Sequence, residues 1–223
     1  MPSRSALAGL VALTLGVIVL LALHVIPPTS EIDPVVRTLS QYALTSNKWL
    51  FDSAVLLIAL GSALGFAAVI RHRDTAPSSA GILLGGLWVL SLLLVVAFTK
   101  VNWAVAPGPS LGGLIHRYAS AVAFLSLPLA IILIAPAVFP DRPSWRRTAR
   151  GFAVASIAGF GVIIVGVIRA VAGHGRWWQF VPLGLVERLI GLTGIAAMLT
   201  VVLGLVLVLP GQLRTVNGAT GTP

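Results

Sequence analysis

The chain has 223 residues, of which 57% are hydrophobic and 9% charged, with a mean hydropathy of +1.01 and a formal net charge of +9. So little polar sequence leaves no room for a soluble domain, and the absence of cysteine excludes a disulfide framework, thiolate catalysis and a Cys-ligated metal. The basic balance does not indicate nucleic acid, because the Lys and Arg residues are spread over connections without an RNA- or DNA-binding motif, as expected beside membrane helices.

Six runs without Lys, Arg, Asp, Glu or His follow one another: Ser5–Leu23, Ser53–Ile70, Thr75–Thr99, Tyr118–Pro140, Gly151–Ile168 and Leu189–Leu213, each of 18 residues or more. A helix needs about 20 residues to cross about 30 Å of hydrocarbon, and in lipid a helix satisfies its own backbone. The runs predict an all-α fold, a polytopic bundle of six transmembrane spans over roughly 6–26, 48–71, 79–99, 114–138, 151–172 and 186–209, forming a single domain over 1–223.

The first run follows Arg4 and has the outline of a signal peptide. Its 19 residues exceed the usual apolar core of one, and His24-Val25-Ile26-Pro27-Pro28 offers no small-x-small cleavage site, so it is read as a retained span. The first connection, LSQYALTSNKWLFD, carries Ser40 and Tyr42, is poor in Gly and Pro, and predicts a segment folded onto the bundle. Small residues recur at four-residue spacing in Gly61/Gly65, Gly81/Gly85 and Gly151/Ala155/Gly159, a pattern that lets helices approach closely within one bundle. Pro128 predicts a kink in the fourth span. The connection DRPSWRRTAR at 141–150 holds four Arg and reads as cytoplasmic, which places both termini in the cytoplasm. Trp49, Trp103, Trp177 and Trp178 then mark the outer boundary and Trp145 the inner one.

At the expected outer boundary every span contributes an ionisable residue: His24, Lys48 and Asp52, Lys100, His116 and Arg117, Arg169, and Glu187 and Arg188. A charge that close to apolar sequence is unfavourable unless it faces the bundle and finds a partner. His24, Asp52, His116, Arg169 and Glu187 are therefore expected to converge on one outward-facing cavity. Arg169 and Glu187 flank the short fifth connection and are expected to pair. His116 and Ser120 share a helix face. Lys48, Lys100, Arg117 and Arg176 also suit a simpler role, snorkelling to lipid phosphates.

The segments HVIPP, LSQYALTSNKWLFDSAVLLIALG, HRYASAVAFLSLP and GLVERL, in that order, resemble the bacterial domain-of-unknown-function family DUF998 across nearly the whole chain. The resemblance implies a six-span integral membrane protein and no established activity. A more distant similarity is to eukaryotic DRAM/Frag-like six-span proteins, which share a Ser-containing motif in the first outer loop and a His opening the fourth span. That similarity implies a link to lipid handling.

The favoured reading is a non-enzymatic protein of a bacterial plasma membrane that binds a lipid or another amphipathic or anionic ligand in an outward-facing polar pocket. Arg117, Arg169 and Arg188 would engage an anion, His24, Asp52 and Glu187 would set polarity, and Ser40, Tyr42, His116 and Ser120 complete the candidate set. Membrane lipids are the expected partners, with no nucleic acid, and no metal or cofactor is implied. One alternative is an intramembrane lipid hydrolase using these His, Asp and Ser residues. No H-x-x-x-H or H-E-x-x-H is present, and no catalytic residue is assigned. A small transporter is another, against which stand the apolar midplane and the lack of a repeat.

Overall fold

A computed structural model describes residues 4–73, 75–76, 78–102, 110–175 and 181–207. It contains six helices, each long and apolar enough to cross a membrane: α1 (Arg4–Ala22), α2 (Lys48–Arg73), α3 (Ala80–Ala97), α4 (Leu111–Val138), α5 (Pro143–Val171) and α6 (Leu183–Leu207). There is no strand among the described residues. The protein is thus a multi-pass, all-helical membrane protein.

Helix boundaries follow local chemistry. Ser110 caps α4, its Oγ accepting the Gly113 N–H at 3.1 Å. α4 continues through Pro128 and Pro136, as apolar helices in lipid tolerate. α5 begins at Pro143, eight residues before the expected start at 151. Most of the Arg-rich segment expected to be a loop is therefore helix. Proline is well suited to the first turn, and Ser144–Arg150 contains no helix breaker. α1 ends at Ala22, short of the expected 26, where turns lead into Pro27-Pro28. Trp49 is exposed at the start of α2, Trp145 lies against Phe139 with ring centroids 5.9 Å apart, and Trp103, Trp177 and Trp178 fall outside the described residues.

Consecutive helices pack as antiparallel hairpins, α1 with α2, α3 with α4 and α5 with α6, and α1 also meets α6. The even-numbered helices form the interior and the odd-numbered ones expose most of their surface. Glycine allows the closest approaches. A Cβ on Gly61 would stand 2.7 Å from the Leu13 backbone N and 2.8 Å from the Gly9 carbonyl, and one on Gly16 would stand 2.9 Å from the Ala54 carbonyl. Gly65 receives Met198, Gly81 receives Ile134 and Gly85 receives the Phe66 ring. Gly151 meets nothing, so the expected spacing in α5 works only through Gly159, which receives Ile190. Polar side chains deep in the bundle are paired: Trp88 Nε1 donates to Ser62 Oγ at 3.0 Å, and Ser156 Oγ donates to the Ile190 carbonyl at 3.0 Å.

These contacts separate two kinds of glycine. Gly61→Ala forces α1 and α2 apart and should lower thermal stability in detergent by about 1–3 kcal/mol. Gly86→Ala, whose Cβ would meet nothing within 4 Å, should be neutral or stabilising by up to about 1 kcal/mol. Equal losses in both would remove the packing role assigned to Gly61.

Candidate functional site

The first connection and the described start of the third lie at one end of the bundle, together with the starts of α2, α4 and α6. The first connection folds there as two short 3-10 turns, Thr29–Glu31 and Leu39–Leu44. Its base is closed by buried Asn47, whose Nδ2 donates to the Pro27 carbonyl at 3.0 Å and to Thr29 Oγ1 at 3.3 Å. Asp33 Oδ1 accepts the Val35 N–H at 2.8 Å and fixes the intervening turn.

This segment lies directly on the first turn of α6. The Leu185 N–H, one of the donors a helix start leaves without an internal partner, reaches the Val35 carbonyl at 3.0 Å. A Cβ on Gly184 would stand 2.3 Å from the Arg37 carbonyl and 2.6 Å from that of Pro34, so only glycine allows this contact.

Arg188 ties the segment down. Its Nη1 donates to the carbonyls of Pro34 and Arg37 at 2.8 Å each and to that of Gly184 at 2.9 Å. Its Nη2 donates to the Tyr42 hydroxyl at 2.9 Å, and its Nε to His24 Nε2 at 2.9 Å. Since His24 Nε2 accepts, the ring proton sits on Nδ1, which donates to the Leu20 carbonyl at 3.0 Å. Fully buried Tyr42 completes the cluster, edge-on to His24 at 5.5 Å between centroids.

Glu187, the preceding residue, points inward and is buried. Its Oε2 accepts the Leu39 N–H at 2.9 Å. Lys100 approaches the same carboxylate and donates to Thr38 Oγ1, which is 3.2 Å from Ser40 Oγ. Burial holds the Lys100 amine below the usual lysine range. The Glu187 carboxylate opposes this, and Arg37 and Arg117 add to it. His116 closes the end of α3: its Nδ1 lies 2.8 Å from the Phe98 carbonyl and 3.2 Å from that of Val95. Its buried Nε2 has no hydrogen-bond partner among the described residues. Ser120 Oγ donates back to the His116 carbonyl at 2.8 Å.

Below this polar layer is a cavity of about 80 Å³. Leu39 and Ser40 form one wall, and Glu187 and Ser120 are its other polar residues, while Phe51, Val55, Leu92, Phe124 and Ile195 supply much of the apolar surface. The lining helical residues lie in the half of the bundle nearest the polar layer, apart from Trp88 and Ile195 at mid-helix. A second cavity of about 10 Å³ lies deeper, against Leu127, Pro128 and Ser156, and shares Trp88, Ala123, Phe124 and Gly191 with the first.

The expected residues are therefore distributed unequally. His24, Tyr42 and Arg188 form one hydrogen-bonded cluster, while Ser40, Ser120 and Glu187 line the cavity. Asp52 pairs with Lys48 one turn away on its own helix. Arg117 is exposed on α4. Arg169 is exposed in the last turn of α5, and its expected pairing with Glu187 does not form: the groups acting on Glu187 are Lys100, the Leu39 N–H and Arg188. The first connection brings its backbone donors closer to Glu187 than α5 brings its last turn. Thr38, Asn47 and Gly184 are not among the residues the sequence singles out, and Lys100, counted in the outer polar set with snorkelling as its simpler role, is not among the candidate ligand residues.

The sequence profile of the family described as "Protein of unknown function (DUF998)" matches residues 7–204. The chain belongs to this family. No curated protein and no solved structure matches it. In this DUF998 protein the family match runs from α1 nearly to the end of α6, so it covers both the polar layer and the cavity.

Arg188 should be the charged residue most sensitive to substitution. Arg188→Ala leaves loop carbonyls and His24 without their donor and should cost about 1–3 kcal/mol. Arg188→Lys should recover little, because an ammonium cannot span the same fork. In a double-mutant cycle with His24→Ala, thermal unfolding should give a coupling above about 0.5 kcal/mol. Additivity, or a greater loss from Arg169→Ala than from Arg188→Ala, would refute the assignment.

Proposed function

We propose that this protein binds an amphipathic, lipid-like ligand, with its polar part at the Lys100–Thr38–Ser40 rim and its alkyl part in the cavity below. The observation that carries this reading is the apolar cavity itself, placed directly under a polar layer. A polar ligand would lose its hydration against such walls, whereas an alkyl chain fills them favourably. Lys100 supplies a cation at the rim, which suits an anionic headgroup. Arg188, expected from the sequence to engage the anion, instead spends its donors on the protein. The hydrolase alternative has no support from side-chain geometry: among the described residues no histidine nitrogen bonds a serine hydroxyl, as activation of a nucleophile needs.

We place this end of the bundle outside a bacterial plasma membrane, with both termini in the cytoplasm. Support comes from Arg142, Arg146, Arg147 and Arg150 at the start of α5, at the opposite end.

Two experiments test these assignments. Mass spectrometry of gently extracted protein should detect a co-purifying amphiphile that is depleted in Ala123→Phe, since Ala123 lines both cavities. Identical lipid content in the two proteins would overturn the binding reading. In this cysteine-free chain, a cysteine introduced at exposed Ser144 should react with a membrane-impermeant thiol reagent only after the cells are opened. Labelling in intact cells would reverse the orientation.

A further inference from the structure

Gly191 lies in the first half of α6, where glycine weakens a helix relative to alanine. Packing does not require it: an added Cβ would meet nothing within 4 Å. Nor does the backbone, since its φ is not in the left-handed region. The open space distinguishes it from Gly184, Gly61 and Gly65, each pressed against a neighbour. Gly86, Gly151 and Gly161 are equally open but line neither cavity, and Gly86 and Gly151 are exposed on the bundle surface. Gly191 lines both cavities and stands where the outer one borders the deeper space against Pro128.

We propose that Gly191 is the throat of the pocket, and that the missing side chain sets how long an alkyl chain the protein accepts. This deepens the lipid-binding reading and rests on it. The deeper cavity, at about 10 Å³, is close to the size of one water and has room for the end of one chain only. The ligand class is accordingly a single-chain amphiphile, its head at the Lys100 rim and its methyl end passing Gly191 toward the middle of the bundle. A two-chain lipid would need a second path beside the first.

The test uses the full chain, with straight-chain fatty acids of about eight to about sixteen carbons competing against a fluorescent fatty acid; each methylene that enters an apolar site adds about fourfold in affinity. In the natural protein affinity should climb with chain length and then level off. In Gly191→Leu the plateau should come at a shorter chain, with the loss of affinity growing with chain length and smallest for the shortest acids. Gly191→Ala should fold at least as stably as the natural protein and shift the plateau in the same direction by less, so the test survives if the leucine variant does not fold. The same plateau in the natural protein and the variants overturns the throat and leaves the pocket standing. Affinity independent of chain length in the natural protein overturns the pocket, and the throat with it. A two-chain phospholipid that competes as well as the best fatty acid overturns the single-chain assignment.

Discussion

Two adjacent ionisable residues, Glu187 and Arg188, begin the second turn of an otherwise apolar helix, and the architecture of this end of the protein answers the need to pair them. A buried charge without a partner costs about 3–5 kcal/mol, more than many such proteins can spare. Adjacent residues on a helix point about 100° apart, so no single partner can serve both. The first connection serves both at once. Its Leu39 N–H meets the Glu187 carboxylate, and its Pro34 and Arg37 carbonyls meet the Arg188 guanidinium. The dependence is mutual, since the same contacts hold the loop on the first turn of α6.

The cavity follows from this arrangement. By holding Leu39, Glu187 also positions Ser40, so the segment that satisfies the charges becomes a wall of the space beneath. Elsewhere the helices close tightly, because glycines on α1, α2 and α3 admit backbones or large side chains at contact distance. Between α3, α4 and α6 closure is incomplete, and Gly191 fills none of the gap. The bundle is thus dense where glycine meets a neighbour and open where glycine meets none. The residue type is the same in both places, and only the surroundings distinguish a packing glycine from one that leaves room.

Much of the fold was legible in the sequence because membrane insertion imposes a length and a charge pattern that six runs meet without ambiguity. Boundaries were less legible. Pro143 and its Arg-rich successors read as a loop by charge, yet nothing in Ser144–Arg150 opposes a helix, and α5 extends through them. Polar residues at one end could be identified, but not their partners. The pairing expected for Arg169 and Glu187 came from nearness in sequence across a short connection. The observed partners, Leu39 and Arg188's contacts at Pro34 and Arg37, lie about 150 positions away and are backbone groups, which residue identity does not encode. Gly184 was the one available signal, a glycine at the start of a helix with no turn to explain it, and its reason appears only when the loop is seen lying on it.

The allocation of hydrogen bonds bears on what kind of protein this is. A catalytic site keeps a nucleophile and a base in reach of each other and of the substrate. Here His24 has both ring nitrogens engaged by Leu20 and Arg188, and Tyr42 accepts from Arg188. Ser120 donates to its own helix, and His116 spends Nδ1 on the end of α3. The polar groups are largely occupied in holding the connection to the helices. What remains facing the cavity is mostly hydrocarbon, with Glu187, Ser40 and Ser120 near its polar end and Lys100 one hydroxyl beyond. Such a surface is poor in groups that could move protons and rich in groups that could hold a chain. For the binding proposed above, that balance makes the dimensions of the space, rather than the reactivity of any one side chain, the property that would decide what enters it.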